Sequence, residues 1–160
     1  LPALPRPRTQ RPPMHTLFDP AAREDILSRV GRLTPGHKPL WGSMDAPKMI
    51  VHLTAQLHTG LGELKCAPRK TPLDNWLMRR LVIYWLPWPK GTPTAPEFLA
   101  QPTASWDKDV ATLRSAVARF GARDPRGDWP RHPAFGPLSG RMWGALAWRH
   151  MDHHLRQFGV

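Results

Sequence analysis

Two histidines near the end of the chain, His150 and His154, have the spacing of a metal-binding pair. They lie four residues apart in a segment with helical periodicity, so both side chains project over the same patch of the helix surface. With Trp143 placed at 0° on a helical wheel, the apolar stripe is centred near ~40°, and His154 and His150 lie within ~20° and ~60° of that centre. Their imidazole nitrogens could therefore converge on one ion from the core side, whereas His153 faces the polar side, ~120° away.

A third ligand has to come from another helix, and His52 is the best candidate. It lies in the middle of a predicted helix, on the flank of the apolar stripe, and Gln56 follows one turn later. Three histidines from facing helices would leave open coordination positions for water or a substrate, and zinc, nickel and ferrous iron all accept imidazole. Two alternatives stay open: His52 packs at a helix seam and hydrogen-bonds a backbone group, and Gln56 is either an exposed residue or part of a cavity wall.

Five segments with helical periodicity would position these side chains. Each has a residue suited to a helix N-terminus near its start: Asp19, Asp45, Asp74, Ser105 and Ser139. The predicted segments run from Asp19 to the Thr34-Pro35-Gly36 stop, from Asp45 to Leu64, from Leu73 to Leu86, from Ser105 to Gly121 and from Ser139 to Gln157. The fourth segment has a regular inward seam that consists of Trp106, Val110, Leu113, Val117 and Phe120.

Because no strand pattern is present, the sequence predicts an all-α protein. We expect an antiparallel four-helix bundle with one further helix and long proline-rich connections. In the connection over residues 87–98, repeated prolines argue against both a helix and a central strand. A second long connection covers residues 122–138.

The bundle is predicted to form one domain over residues 14–160. Residues 1–13 contain five prolines and no apolar periodicity, which predicts a disordered or polyproline-like tail. Since Met14 follows immediately, we interpret this tail as an upstream extension of the reading frame or as a remnant of cloning.

The charge balance suggests a second class of function. The chain has 23 Lys and Arg against 12 Asp and Glu, a net charge of +11, so a non-enzymatic basic helical module that binds nucleic acid or an acidic partner is the alternative hypothesis. However, Arg6, Arg8 and Arg11 lie in the tail, and the other positive charges are spread out or occur in short pairs such as Arg79-Arg80. This distribution favours a solvated surface over a nucleic-acid-binding block.

The cysteine count and the hydropathy pattern limit the kinds of bond, metal site and cellular location that the chain can have. Cys66 is the single cysteine, so an intrachain disulfide and cysteine-based metal clusters are excluded, and a reducing cytoplasm is the simplest location. The sequence places no histidine near Cys66, which favours a space-filling role over that of a nucleophile. No apolar run approaches the ~20 residues of a membrane span.

Several other residues invite a functional interpretation but have a simpler structural one. We expect Asp152 to be a solvated charge. Trp88 and Lys90 belong to a proline-rich loop that we expect to wrap the bundle, although it could instead cover a cavity and meet an anionic substrate group. His132 and Phe135 are interpreted first as a packed connection.

His52 together with H150-x-x-x-H154 resembles the metal triad of the DinB/YfiT-like superfamily. More specifically, the chain resembles the domain-of-unknown-function branch of that superfamily, here ending in HMDHHLRQFGV. The segments that carry the resemblance are residues 39–53, 86–98 and 132–160. The resemblance implies a four-helix bundle in which three histidines hold a divalent metal near one end of a cavity.

The resemblance also implies a range of activities. The superfamily includes metal-dependent enzymes that use low-molecular-weight thiols, putative hydrolases, and members with no known activity. We therefore expect a divalent metal ion held by His52, His150 and His154, which would act on a small molecule in thiol transfer or hydrolysis. No catalytic residue beyond the triad can be assigned. A homodimer is a further expectation, and a degenerate bundle without activity is a third hypothesis.

Overall fold

The computed structural model describes residues 14–92, 94 and 96–160, and the predicted tail lies outside these residues. The described residues form six α-helices and no strand, which confirms the all-α class. The helices are α1 (Pro20–Val30), α2 (Ala46–Leu61), α3 (Trp76–Tyr84), α4 (Pro96–Leu99), α5 (Trp106–Ala122) and α6 (Gly140–Gln157), and a 3₁₀ turn covers Pro72–Asp74.

Side-chain caps start three of the six described helices at the residues that the sequence predicts, and α5 begins after the predicted Ser105 without a side-chain bond. Asp19 accepts the backbone N–H of Ala21, Asp45 that of Lys48, and Ser139 that of Met142. A capping side chain satisfies a backbone donor that the helix itself leaves unpaired, which is worth about 1 kcal/mol. The predicted starts of α1, α2 and α6 are therefore confirmed.

The predicted ends and connections are less accurate. The helix α2 ends at Leu61 rather than at Leu64, because Gly62 adopts a left-handed conformation with φ of 81°. The predicted third helix is divided: Asn75 has extended backbone angles between the 3₁₀ turn and α3, and its side chain caps α3. The proline-rich connection contains the short helix α4, since a proline is tolerated at the first position of a helix.

The four longest helices contact one another in a closed cycle. The helix α2 packs against α5 and α6, and α1 also packs against both of them. Gly60 of α2 allows a close approach to α5 and α6, because a Cβ atom there would lie 2.8 Å from the Phe120 ring and 3.1 Å from the Trp143 ring. The antiparallel four-helix bundle itself remains a prediction.

Several arginines donate hydrogen bonds to backbone carbonyls of other segments and so link those segments. Arg149 donates to the carbonyls of Val82, Ile83 and Leu86 and so ties α6 to the end of α3. Such bonds account for part of the arginine excess without a binding surface.

Asp152 forms ion pairs with two arginines, one of which lies on α1. Its carboxylate lies 2.9 Å from Arg29 and 3.0 Å from Arg156, and its side chain is 15% exposed. The prediction of a solvated charge at Asp152 is therefore wrong, because packing of α1 against α6 brings Arg29 onto it. Within the described residues, no helix combines the length and the apolar character that crossing a membrane requires.

Candidate metal centre

The three histidines singled out by their spacing meet between α2 and α6. The Nε2 atom of His52 lies 2.9 Å from Nε2 of His150 and 3.1 Å from Nε2 of His154. The ring planes are steeply inclined, at 66° and 79° to that of His52, so the rings approach through their nitrogen-bearing edges rather than their faces. We call these three residues the histidine triad.

Burial keeps the triad uncharged. Desolvation, with a smaller contribution from the charge of His154, lowers the pKa of His52 to about 3. Desolvation also lowers the pKa of His154 to about 4, although its hydrogen bond with Gln157 acts in the opposite direction. The pKa of His150 falls well below its ordinary value through burial and the neighbouring histidines. The three rings are therefore neutral at pH 7, which is the form that binds metal.

The spacing of the triad fits a shared ion. Two imidazole nitrogens that each lie about 2.1 Å from one ion are separated by about 3.0 Å when the angle at the ion is a right angle, and by about 3.4 Å at the tetrahedral angle that zinc prefers. The separations of 2.9 and 3.1 Å are close to the right-angle value and a few tenths of an ångström below the tetrahedral one. Each of the three residues offers one ring nitrogen, all within 4.8 Å of one another, so the group could hold a metal ion.

The triad includes one histidine whose second nitrogen is already paired. Nδ1 of His154 lies 2.8 Å from Oε1 of Gln157, and Nε2 of Gln157 donates to the Trp41 carbonyl at 2.8 Å. Because an amide oxygen can only accept, Nδ1 of His154 carries the proton and Nε2 is left with its lone pair. Gln157 is not among the residues predicted from the sequence, although its position three residues after His154 could have indicated it.

Two other ring nitrogens of the triad are buried without a hydrogen-bond partner. They are Nδ1 of His52 and Nδ1 of His150, and Oε1 of Gln56 is a third such atom. Gln56 is only 3% exposed, so the interpretation of this residue as an exposed helix position is wrong. Unpaired buried polar atoms are rare in folded proteins, and here three of them lie on the triad or one helical turn from it.

Two aromatic rings lie beside the triad. The centre of the Phe98 ring, on α4, is 5.9 Å from the centre of the His52 ring, and the centre of the Trp88 ring is 6.2 Å from that of His150. Trp88 donates to the Val82 carbonyl at 3.0 Å, so this part of the proline-rich loop packs on α3 and at the same time lies beside the triad. Lys90 of this loop lies over the Trp41 ring, 4.6 Å from its centre.

His153, adjacent in sequence to His154, stays outside the triad. It is half-buried, and its ring lies 6.0 Å from that of Trp41 and 5.9 Å from that of Trp88. The helical wheel therefore selects correctly the two histidines of α6 that face His52.

His132 is the buried histidine that packs as a connection. Its Nδ1 accepts the backbone N–H groups of Ala134 and Phe135 at 3.1 and 3.2 Å. The simpler interpretation of this residue is confirmed, because its ring is used to close the turn before α6.

Cys66 does not resemble an activated nucleophile. Burial raises the pKa of its thiol, and the Sγ atom lies 3.6 Å from the Thr59 hydroxyl. A thiol with a raised pKa is protonated at neutral pH, which supports the space-filling interpretation.

A separate cavity of about 340 Å³ lies between α2 and α5. Its charged and polar walls include His58, Glu63 and Asp109, but the carboxylates are engaged: Glu63 with Arg119, and Asp109 with the backbone N–H of Ala104. The triad histidines are not among its wall residues.

A family model described as "Protein of unknown function (DUF1569)" matches residues 24–159. The chain belongs to this family. The match includes all three histidines of the triad as well as Gln56 and Gln157. Searches of curated proteins and of solved structures gave no match. The resemblance to the DinB/YfiT-like superfamily remains a prediction.

Proposed function

We propose that His52, His150 and His154 hold one divalent metal ion, in a DinB-like four-helix bundle that acts on a small molecule. The observation that carries this proposal is the approach of Nε2 of His52 to two other Nε2 atoms, at 2.9 and 3.1 Å. One Nε2–H on His52 can form a linear hydrogen bond to only one of these neighbours. A cation between the three lone pairs satisfies all of them.

The residues of the chain prepare this site in three ways. Burial keeps the rings neutral, the bond from His154 to Gln157 orients one of them, and Trp88 and Phe98 limit the access of water. A bound zinc, nickel or ferrous ion would supply a Lewis acid that can polarise an oxygen, lower the pKa of a bound water or bind a thiolate.

Thiol transfer or hydrolysis is the class of reaction that we propose, and it rests on the superfamily resemblance. Three protein ligands leave positions at which a small molecule or a thiol could bind. The cytoplasmic location and the homodimer remain predictions from the sequence. The alternative of a basic module for nucleic acid or an acidic partner predicts binding that weakens steeply with salt.

The test is the metal content of the protein purified from cells grown with zinc, nickel and iron. We expect about one equivalent in the wild type, a loss of most of it in His150→Ala, and the wild-type content in His153→Ala. His153→Ala is the matched control, since it removes a histidine from the same helix but outside the triad. Equal metal content in His150→Ala and the wild type would overturn the proposal.

A further inference from the structure

Two of the unpaired buried atoms beside the triad are complementary. Nδ1 of His52 and Oε1 of Gln56 are both inaccessible to solvent and without a hydrogen-bond partner. Their residues are four apart on α2, and His52 and Gln56 are 1% and 3% exposed. Bulk water therefore cannot satisfy either atom, and each unpaired group of this kind costs about 1–3 kcal/mol.

The geometry of an α-helix brings such a pair within reach. Side chains on a helix point back toward its N-terminus, so the side chain at position i+4 extends over the residue at position i. The Gln56 amide therefore extends toward the His52 ring and has rotatable bonds with which to reach it.

The same arrangement already exists on the other side of the triad. Gln157 follows His154 by three residues on α6, and its Oε1 lies 2.8 Å from Nδ1 of His154. In both helices a glutamine thus lies about one turn after a triad histidine, but only the pair on α6 forms a hydrogen bond.

We propose that Gln56 is a positioning residue for the metal centre, and that its Oε1 accepts a hydrogen bond from Nδ1–H of His52 when Nε2 of His52 binds the ion. This inference rests on the proposed function. A neutral imidazole has one proton, and an ion at Nε2 leaves that proton on Nδ1, where it requires an acceptor. The amide supplies the acceptor without adding charge to the buried site.

The experiment compares four variants for zinc affinity, measured by competition with a chromogenic chelator. Gln56→Leu removes the proposed acceptor, Gln157→Leu removes the one already observed, and Gln56→Glu keeps an acceptor at the proposed position. Gln101→Leu is the matched control, because Gln101 donates to the Glu97 carbonyl and has no contact with the triad among the described residues.

We expect zinc affinity about tenfold weaker in Gln56→Leu and in Gln157→Leu, in line with the usual effect of removing such partners. Affinity in Gln56→Glu and Gln101→Leu should stay within twofold of the wild type or, for the glutamate, become tighter. Nitrogen-15 NMR of the zinc-loaded protein gives a second readout: the Nδ1–H proton of His52 should exchange slowly in the wild type and fast in Gln56→Leu.

The outcomes separate the two proposals. A wild type that takes up none of zinc, nickel and iron overturns both the metal centre and the role of Gln56; if it takes up only nickel or iron, that ion replaces zinc in the comparison. Zinc binding with unchanged affinity and an unchanged His52 Nδ1–H signal in Gln56→Leu overturns only the role of Gln56. Equal weakening in Gln56→Leu and Gln56→Glu also overturns it, since loss of packing would then be the cause. A folded Gln56→Glu keeps the test available if Gln56→Leu is unstable.

Discussion

Trp143, near the start of α6, and the triad histidines near its end differ in how their buried polar atoms are satisfied. In the N-terminal half, Trp143 is fully buried and its Nε1–H donates to the Pro130 carbonyl, while the neighbouring His132 ring accepts two backbone N–H groups. In the C-terminal half, His150 and His154 direct nitrogens at His52, and two Nδ1 atoms of the triad have no partner.

This difference shows that burial alone does not indicate a metal site. His132 is 6% exposed and desolvation lowers its pKa to about 3, much as it does for His52. What distinguishes the triad is that its lone pairs face one another, whereas Nδ1 of His132 is occupied by the backbone. We therefore expect the N-terminal half of α6 to contribute stability and the C-terminal half to contribute binding.

Removal of the Trp143 ring should have the largest effect on stability. Trp143→Ala should lower the free energy of unfolding by about 3–5 kcal/mol, because the fully buried ring packs against Gly60 of α2 and its loss leaves a cavity. The measurement is urea unfolding at pH 7 in the presence of a chelator, with Trp148→Ala as a less buried control on the same helix. Metal content should stay at the wild-type level in the folded fraction, and its loss would contradict the separation of the two halves.

Zinc should stabilise the wild type through the C-terminal half. At a free zinc concentration of 100 times Kd, the free energy of unfolding should rise by about 2.7 kcal/mol, since the ion binds the folded state. This increment should disappear in His154→Ala and persist in His153→Ala, as followed by urea unfolding with and without zinc. The same increment in His154→Ala would place zinc elsewhere on the molecule.

Loss of the His132 ring should affect stability without affecting zinc. His132→Leu leaves the N–H groups of Ala134 and Phe135 without their acceptor, so the free energy of unfolding should fall by about 1–3 kcal/mol. The stabilisation by zinc should be the same as in the wild type. If it were lost with the His132 ring, the comparison between the two halves would fail.

Acid should destabilise the protein in the presence of a chelator, because His52, His132 and His154 are buried as neutral rings. Their pKa values are about 3 for His52 and His132 and about 4 for His154, below the ordinary value of 6.5. Below pH 6.5 the unfolded chain therefore binds protons that the folded chain does not, and stability falls until the pH reaches the folded-state pKa.

Each such histidine should contribute a slope on the order of 1.4 kcal/mol per pH unit between pH 6.5 and about 4. Urea unfolding at pH 7, 6 and 5 measures this slope. In His132→Leu the slope should be smaller by the contribution of one histidine, about 1.4 kcal/mol per pH unit. An equal slope in the variant would show that His132 is protonated in the folded protein at these pH values.

Much of the candidate site could be predicted because its parts are local. The spacing of His150 and His154 places both on one face of a single helix, and the caps Asp19, Asp45 and Ser139 act within one turn. His153 could be set aside for the same reason. Errors occurred where the deciding contact is distant in sequence, as at Asp152, whose partner Arg29 lies 123 residues away.

The sequence by itself determined the helical class, most helix starts and the two histidines of α6 that share one face, since these depend on periodicity and on groups within one or two turns. From the sequence alone His52 is a candidate third ligand, with a packing role as the open alternative. Only the tertiary structure decided that Nε2 of His52 comes within hydrogen-bonding distance of Nε2 of His150 and of His154. The same holds for the link from His154 through Gln157 to Trp41 and for the burial of Gln56. These features depend on how α2 and α6 pack, which is set by side chains throughout the core and not by any local pattern.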